Sequence, residues 1–186
     1  MTRQLTLTLA LSLFGCGNSE EGPPPIRAAD VQTFLQDTAL EQSPLSVYIR
    51  GKVLVINRTD RRVEEDVQSL LAPARNAHVA QEVETVVWID WTTQEIPGQA
   101  YQTVFQKTGP SRKVQAMVWN ANLTVVDWKR KQLLGGTLIT GAGPTEHYEK
   151  RSNEDLSKAG GIAGPRPFQA IADYLADTAQ TVAVPP

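Results

Sequence analysis

Thr85-Val-Val-Trp-Ile-Asp-Trp-Thr92 is the stretch on which the reading of the fold turns. Its first residues are apolar on both sides of a period-two alternation, the pattern of a strand buried from above and below. Ile96-Pro97-Gly98 then reads as a turn leading into another strand from Tyr101 to Gln106. Further on, Val114 to Trp119 and Leu123 to Trp128 flank Asn120-Ala121-Asn122, a short connection of turn formers that predicts a β-hairpin. The corner from Trp128 to Lys131 feeds Leu133 to Thr140. Strands joined so tightly run antiparallel. The expected architecture is therefore α+β, an antiparallel β-meander of four or five strands with two or three short helices packed on one side.

The flanking segments supply the helices. Ala28 to Gln42 carries Val31, Phe34, Leu35 and Leu40 toward one face and predicts a short amphipathic helix closed by Pro44. Val47 to Ile56 is β-branched and apolar, as a central strand would be. Asp60 is placed to cap a helix bearing Val63, Val67, Leu70 and Leu71, with Pro73 beyond its end. Pro167 suits the first turn of a last helix in which Phe168, Ile171, Ala172, Leu175 and Ala179 recur at helical spacing. Between sheet and helix, Gly141 to Arg166 is rich in glycine and charge and reads as a long loop.

Composition narrows the function classes. The 186 residues suffice for one ordinary domain with a sizeable core, and the net charge of −2 comes without a basic stripe, so no nucleic-acid partner is expected. The one basic cluster, Lys129-Arg130-Lys131, falls in the expected turn after Trp128 and reads as solvated. A single cysteine, Cys16, rules out an internal disulfide.

Cys16 closes a short N-terminal segment of distinctive chemistry. Arg3 and the α-amino group are positive, and Leu5 to Phe14 is an apolar run too short to span a bilayer. The same residues alternate Leu5, Leu7, Leu9, Leu11 and Leu13 with smaller or polar ones, which a half-buried strand would also do. Leu13-Phe14-Gly15-Cys16 resembles the lipobox of bacterial lipoprotein precursors, with Leu13, Phe14 and Gly15 as the signal-peptidase recognition residues and Cys16 as the lipidation site. The resemblance implies that residues 1–15 are a removed signal peptide and that membrane lipid is joined through acylated Cys16. It further implies an exported protein, lipid-anchored to the cell envelope.

Residues 16–26 follow as a tether. Gly17 to Ile26 has almost nothing to bury and contains Pro23-Pro24-Pro25, which favours extended polyproline II. About nine residues at roughly 3.3 Å each reach about 30 Å. Gly17 stands where the lipoprotein family places Asp for inner-membrane retention, so the resemblance favours the outer membrane if the host is diderm. Residues 27–186 are then expected to form a single globular domain. Its strand-rich middle is similar to small sheets of uncharacterised envelope proteins that carry no catalytic signature.

No motif in the domain demands a cofactor or a metal. His78 and His147 stand in no metal-binding spacing, and Glu146, His147 and Glu149 lie together in the long loop, where side chains are solvated. Glu64-Glu65-Asp66 reads as the solvated face of a helix. Gly135 to Gly143 lacks the Gly-Lys-Ser/Thr ending of a phosphate loop and reads as a strand with a bulge. No catalytic residue is assigned.

The aromatic residues carry the strongest surface signal. Trp88, Trp91, Trp119 and Trp128 all fall on expected strands, and Trp88 and Trp91 must point to opposite faces. One belongs to the core. The other, joined by Trp119 or Trp128, would form a platform for an envelope protein or a glycan unless helices cover both groups. Two function classes follow: a membrane-anchored, non-catalytic binding or scaffolding module, and, as the alternative, an envelope hydrolase or small-molecule enzyme with a dispersed site. A pocket of converging carboxylates with His147 or Tyr148 would favour the enzyme, and a flat aromatic surface the binder.

Overall fold

The computed structural model describes residues 24–36, 40–44, 46–103, 112–145 and 161–178. In chain order the elements are α1 (Ala28–Leu35), β1 (Glu41–Gln42), β2 (Lys52–Asn57), β3 (Arg62–Val63), α2 (Glu65–Gln68), a 3₁₀ turn (Ala80–Glu82), β4 (Val83–Thr103), β5 (Arg112–Asp127), β6 (Gln132–Thr140), β7 (Ile162–Ala163) and α3 (Phe168–Thr178). They form one seven-stranded sheet of order β1-β6-β5-β4-β2-β3, with β7 also paired to β5.

The expected antiparallel meander of four or five strands is overturned, because the sheet is mixed. β2 runs parallel to β4, β1 to β6 and β7 to β5, while the β2–β3, β4–β5 and β5–β6 pairs are antiparallel. Two-sided burial in β2 explains the parallel pair. Val53 and Val55 enter one core with Val87, Ile89, Val67 and Ile171, whereas Leu54 and Ile56 enter another with Trp88, Val31 and Phe34. A strand apolar on both faces must be covered on both, and the crossover from β2 to β4 through β3 and α2 supplies one cover. The helices thus lie on both sides of the sheet: α2 and α3 on one face, α1 on the other.

The expected hairpin at Asn120-Ala121-Asn122 is likewise absent, since β5 runs straight through these residues. Ala121 is fully buried and pairs with Trp91 on one side and Ile139 on the other. A ladder on both edges satisfies backbone groups that a turn would leave to solvent, and this outweighs local turn preference. Ile96-Pro97-Gly98 does not separate two strands either. It is a bulge inside β4, between the Glu95–Met117 and Ala100–Gln115 pairs, with Gly98 at φ 76° supplying a backbone conformation that other residues resist. β4 continues to Thr103, and the remainder of the Tyr101–Gln106 expectation lies outside the described residues.

The corner after Trp128 does join β5 to β6, with Lys131 at φ 56°. Its three basic residues are exposed, as expected of a solvated turn, and also make local contacts. The Arg130 amide donates to Asp127 Oδ1 at 2.9 Å, Lys129 donates to the Gln81 carbonyl at 3.2 Å, and the Lys131 ammonium lies 3.0 Å from the Trp128 ring centre. In β6 a bulge falls at Gly135, φ 127°, where Val125 and Val126 of β5 face Gly135 and Leu133.

The helices are shorter than the periodicity predicts. α1 ends at Leu35, and Glu41–Gln42 leave the expected helix to become β1. The Arg27 amide donates to Asp30 Oδ2 at 2.8 Å, tying the start of α1. Asp60 does not cap α2. It closes the β2–β3 turn instead, its amide donating to Asn57 Oδ1 and its carboxylate accepting from Asn57 Nδ2. α2 is brief, but Gln68 at its end completes the sheet edge. Its Oε1 accepts from the Val55 amide at 2.8 Å, and its Nε2 donates to the Val53 carbonyl at 2.9 Å and to Asn76 Oδ1 at 2.7 Å. A side-chain amide thereby serves backbone groups of β2 at Val53 and Val55, which β3, paired at Ile56 and Asn57, does not reach.

One buried network has a measurable titration. Tyr48, outside any strand, donates to Asp127 Oδ2 at 2.7 Å and accepts from Arg130 Nη1 at 3.1 Å; Asp127 is fully buried. Burial, reinforced by the Asp127 carboxylate, raises the Tyr48 pKa above the ordinary 10.0. The folded state thus holds this proton more tightly than the unfolded state. Its contribution to stability is complete below the ordinary value and is lost as pH climbs through the raised one. An ultraviolet titration of the tyrosines should show a phenol ionising above the ordinary value, together with unfolding, and Tyr48→Phe should remove that phase.

Candidate functional site

The face covered by α2 and α3 also carries the most distinctive surface feature. Trp91 of β4 lies opposite the small Ala121, and Trp119 of β5 lies opposite Thr93. Each indole thus has room to lean toward its diagonal neighbour. Trp91 and Trp119 meet edge to face, with ring centres 6.1 Å apart at 84°, and Phe168 stands edge-on to Trp91 at 5.7 Å. All three rings are partly exposed.

Arg166 fills the corner they make. Its guanidinium carbon lies 4.8 Å from the centre of the Trp91 ring and 4.5 Å from that of Trp119. Three local features hold it there. The Gly141 amide donates to the Trp119 carbonyl at 2.7 Å, β7 pairs with Ala116 and Met117 of β5, and the Gly164 amide donates to the Met117 carbonyl at 3.1 Å. Pro167 then immediately precedes α3, so with the Gly164 bond the chain has little freedom on either side of Arg166. Trp91 is fixed from its other end: its Nε1 donates to Glu64 Oε2 at 2.9 Å, and Asn57 Nδ2 donates to the same oxygen at 3.0 Å. Glu64 is only 3% exposed, so this part of the acidic run is a buried anchor and not a solvated face.

Among the described residues Arg166 has neither an ion pair nor a side-chain hydrogen bond. A guanidinium stacked on indoles keeps its charge and its planar fork of five N–H donors. The arrangement can therefore accept a carboxylate, a phosphate or a run of carbonyl groups beside an apolar surface.

The β4 edge next to this corner has no partner strand among the described residues. Pairing with β2 ends at Ile89, whose carbonyl accepts from the Arg58 amide at 3.0 Å, while pairing with β5 continues to Thr103. Backbone groups alternate along a strand, so those of Trp91, Thr93 and Glu95 point the same way as those of Ile89, away from β5. They meet no strand among the described residues.

The four tryptophans thus divide by face. Trp88 lies in the α1 core, 3% exposed, with Nε1 donating to the Phe34 carbonyl at 3.0 Å, and Trp128 packs on Phe34 with ring centres 4.9 Å apart. Trp91 and Trp119 meet on the opposite face. Strand and helix patterns give no sign that Arg166 and Phe168 fold back over Trp91, so neither is legible in the sequence as a site residue. Leu13, Phe14, Gly15 and Cys16 lie outside the described residues, as do Glu146, His147, Tyr148 and Glu149.

Elsewhere, grooves of about 270 Å³ flank Ile26, one bordered by Arg61, Arg62, Glu65 and Asp66, the other by Gln68, Asn76 and His78. Among the described residues no group of three or more His, Cys, Asp or Glu could hold a metal ion, and no helix is long and apolar enough to cross a membrane. No family model, no curated protein and no solved structure matches the chain.

Proposed function

We propose that this chain is a lipid-anchored protein of the bacterial envelope whose folded domain is a non-catalytic binding or scaffolding module. Its working surface is the corner of Trp91, Trp119, Phe168 and Arg166 together with the adjoining edge of β4. The observation that carries this reading is the Arg166 guanidinium, held against two partly exposed indoles with its donors unspent among the described residues. Cys16, behind Leu13-Phe14-Gly15, supplies the anchor. At roughly 0.8 kcal/mol per buried CH₂, two or three acyl chains hold a protein where one chain would be marginal. Nothing among the described residues specifically favours the dispersed-site enzyme.

The two halves of the proposal are tested separately. Metabolic labelling with a fatty-acid analogue should mark the wild-type chain and leave Cys16→Ser unmarked, and equal labelling of both would remove the anchor. Trp119→Ala should keep the melting temperature within a few degrees of wild type while cutting recovery of whatever the protein binds in its own membrane, since exposed hot-spot aromatics contribute to binding more than to folding. Undiminished recovery would remove the surface.

A further inference from the structure

We propose that the occupant of the open β4 edge is a second copy of this chain, paired antiparallel about a two-fold axis at Thr93; this rests on the reading that the Trp91–Arg166 face is the working surface. The free run is bounded by the Arg58–Ile89 bond on one side and by the bulge after Glu95 on the other, so Thr93 is its midpoint. A two-fold there pairs Thr93 with its own copy and Trp91 with the second copy's Glu95, each pair exchanging two backbone hydrogen bonds.

Charge complementarity selects this occupant. Within one chain Glu95 lies four residues along β4 from Trp91, an extended distance of roughly 13 Å. Among the described residues its one polar contact is a long 3.4 Å approach from Gln115. Pairing two copies sets each Glu95 directly across from the partner's Trp91, with Cα atoms about 5.5 Å apart. Paired residues share a face, so that carboxylate enters the face on which Arg166 lies over Trp91. The unspent guanidinium and the exposed carboxylate are matched by the symmetry, twice per dimer.

The edge is also unguarded. Sheet edges are commonly blunted by lysine, proline or a bulge, and Trp91-Thr-Thr-Gln-Glu95 contains neither lysine nor proline, its bulge arriving only after Glu95. Anchoring on one membrane raises the effective concentration, so a modest intrinsic affinity is enough.

The full-length protein in detergent, sized by sedimentation with the detergent density-matched, should be a dimer that dissociates on dilution. Thr93→Pro should give a monomer with an unchanged far-ultraviolet spectrum and cooperative melt, because the Thr93 amide serves no bond among the described residues. Arg166→Glu and Glu95→Arg should each weaken self-association about tenfold or more, and the double variant should restore it. Thr93→Cys should form an oxidised dimer that wild type, with Cys16 alone, does not. A wild-type monomer at every concentration, or a dimer indifferent to both Thr93→Pro and Arg166→Glu, would overturn the proposal. In the first of these cases, loss of another partner on Trp119→Ala would leave the binding surface standing and reject only its occupant.

Discussion

Replacing Trp88 by alanine should cost the domain about 3–5 kcal/mol, a large share of what a domain of this kind possesses. The indole sits between β4 and α1 with 3% of its surface exposed, beside Val31, Phe34 and Leu54, and Arg58 covers it from 4.9 Å. Truncation leaves a cavity and also strips the Phe34 carbonyl of its donor at the end of α1. Trp88→Phe should recover most of the volume while still losing that bond, for a cost of about 1–2 kcal/mol. Urea melts of Trp88→Ala, Trp88→Phe and Trp119→Ala should rank in that order of damage. A Trp119 variant as unstable as Trp88→Ala would mean that Trp119 is core and not surface.

Gln68→Leu should destabilise the fold by about 2–4 kcal/mol although it enlarges no cavity and removes no charge. The Val55 amide donates to Gln68 Oε1, and leucine would leave that buried N–H without a partner. The Val53 carbonyl suffers less, because the Ala77 amide also donates to it at 3.2 Å. Gln68→Glu is the informative companion. Its carboxylate still accepts from Val55 but, when ionised, faces the Val53 carbonyl without a proton to donate. Burial raises the folded pKa of such a carboxyl, so the folded state binds the proton more tightly than the unfolded state. The variant should therefore lose stability relative to wild type as pH rises through that raised value and regain it on acidification. A pH-independent difference between Gln68→Glu and wild type would show that the amide is not bridging the edge.

Much of the local structure was legible because its causes are local. The alternation in Thr85–Thr92 requires a strand apolar on both faces and separates Trp88 from Trp91 whatever the neighbours. Pro167 followed by Phe168, Ile171, Ala172 and Leu175 places a helix, and α3 begins at Phe168. The corner after Trp128 joins two strands on the strength of its own residues. The same evidence pointed the wrong way at Asn120-Ala121-Asn122 and at Ile96-Pro97-Gly98, where turn formers were absorbed into strand and bulge. A turn preference of a few tenths to one kcal/mol per residue yields when both edges of a strand find partners.

The candidate site was the least legible part. Trp91 and Trp119 were visible as surface candidates, but their meeting depends on the register that sets Trp119 opposite Thr93. Arg166 reaches them only because β7 returns to β5 at Met117, a pairing of two residues that leaves no mark in hydrophobic periodicity. Sequence alone therefore determined which segments extend, which coil and which strand must be covered on both faces, since these follow from side chains within a few residues of one another. Tertiary structure alone decided that β2 lies parallel to β4, that Gln68 closes one edge while the edge from Trp91 to Glu95 meets no strand among the described residues, and that Arg166 rests on two indoles. Those outcomes depend on which distant backbone groups satisfy each other, and strand pairing is non-local.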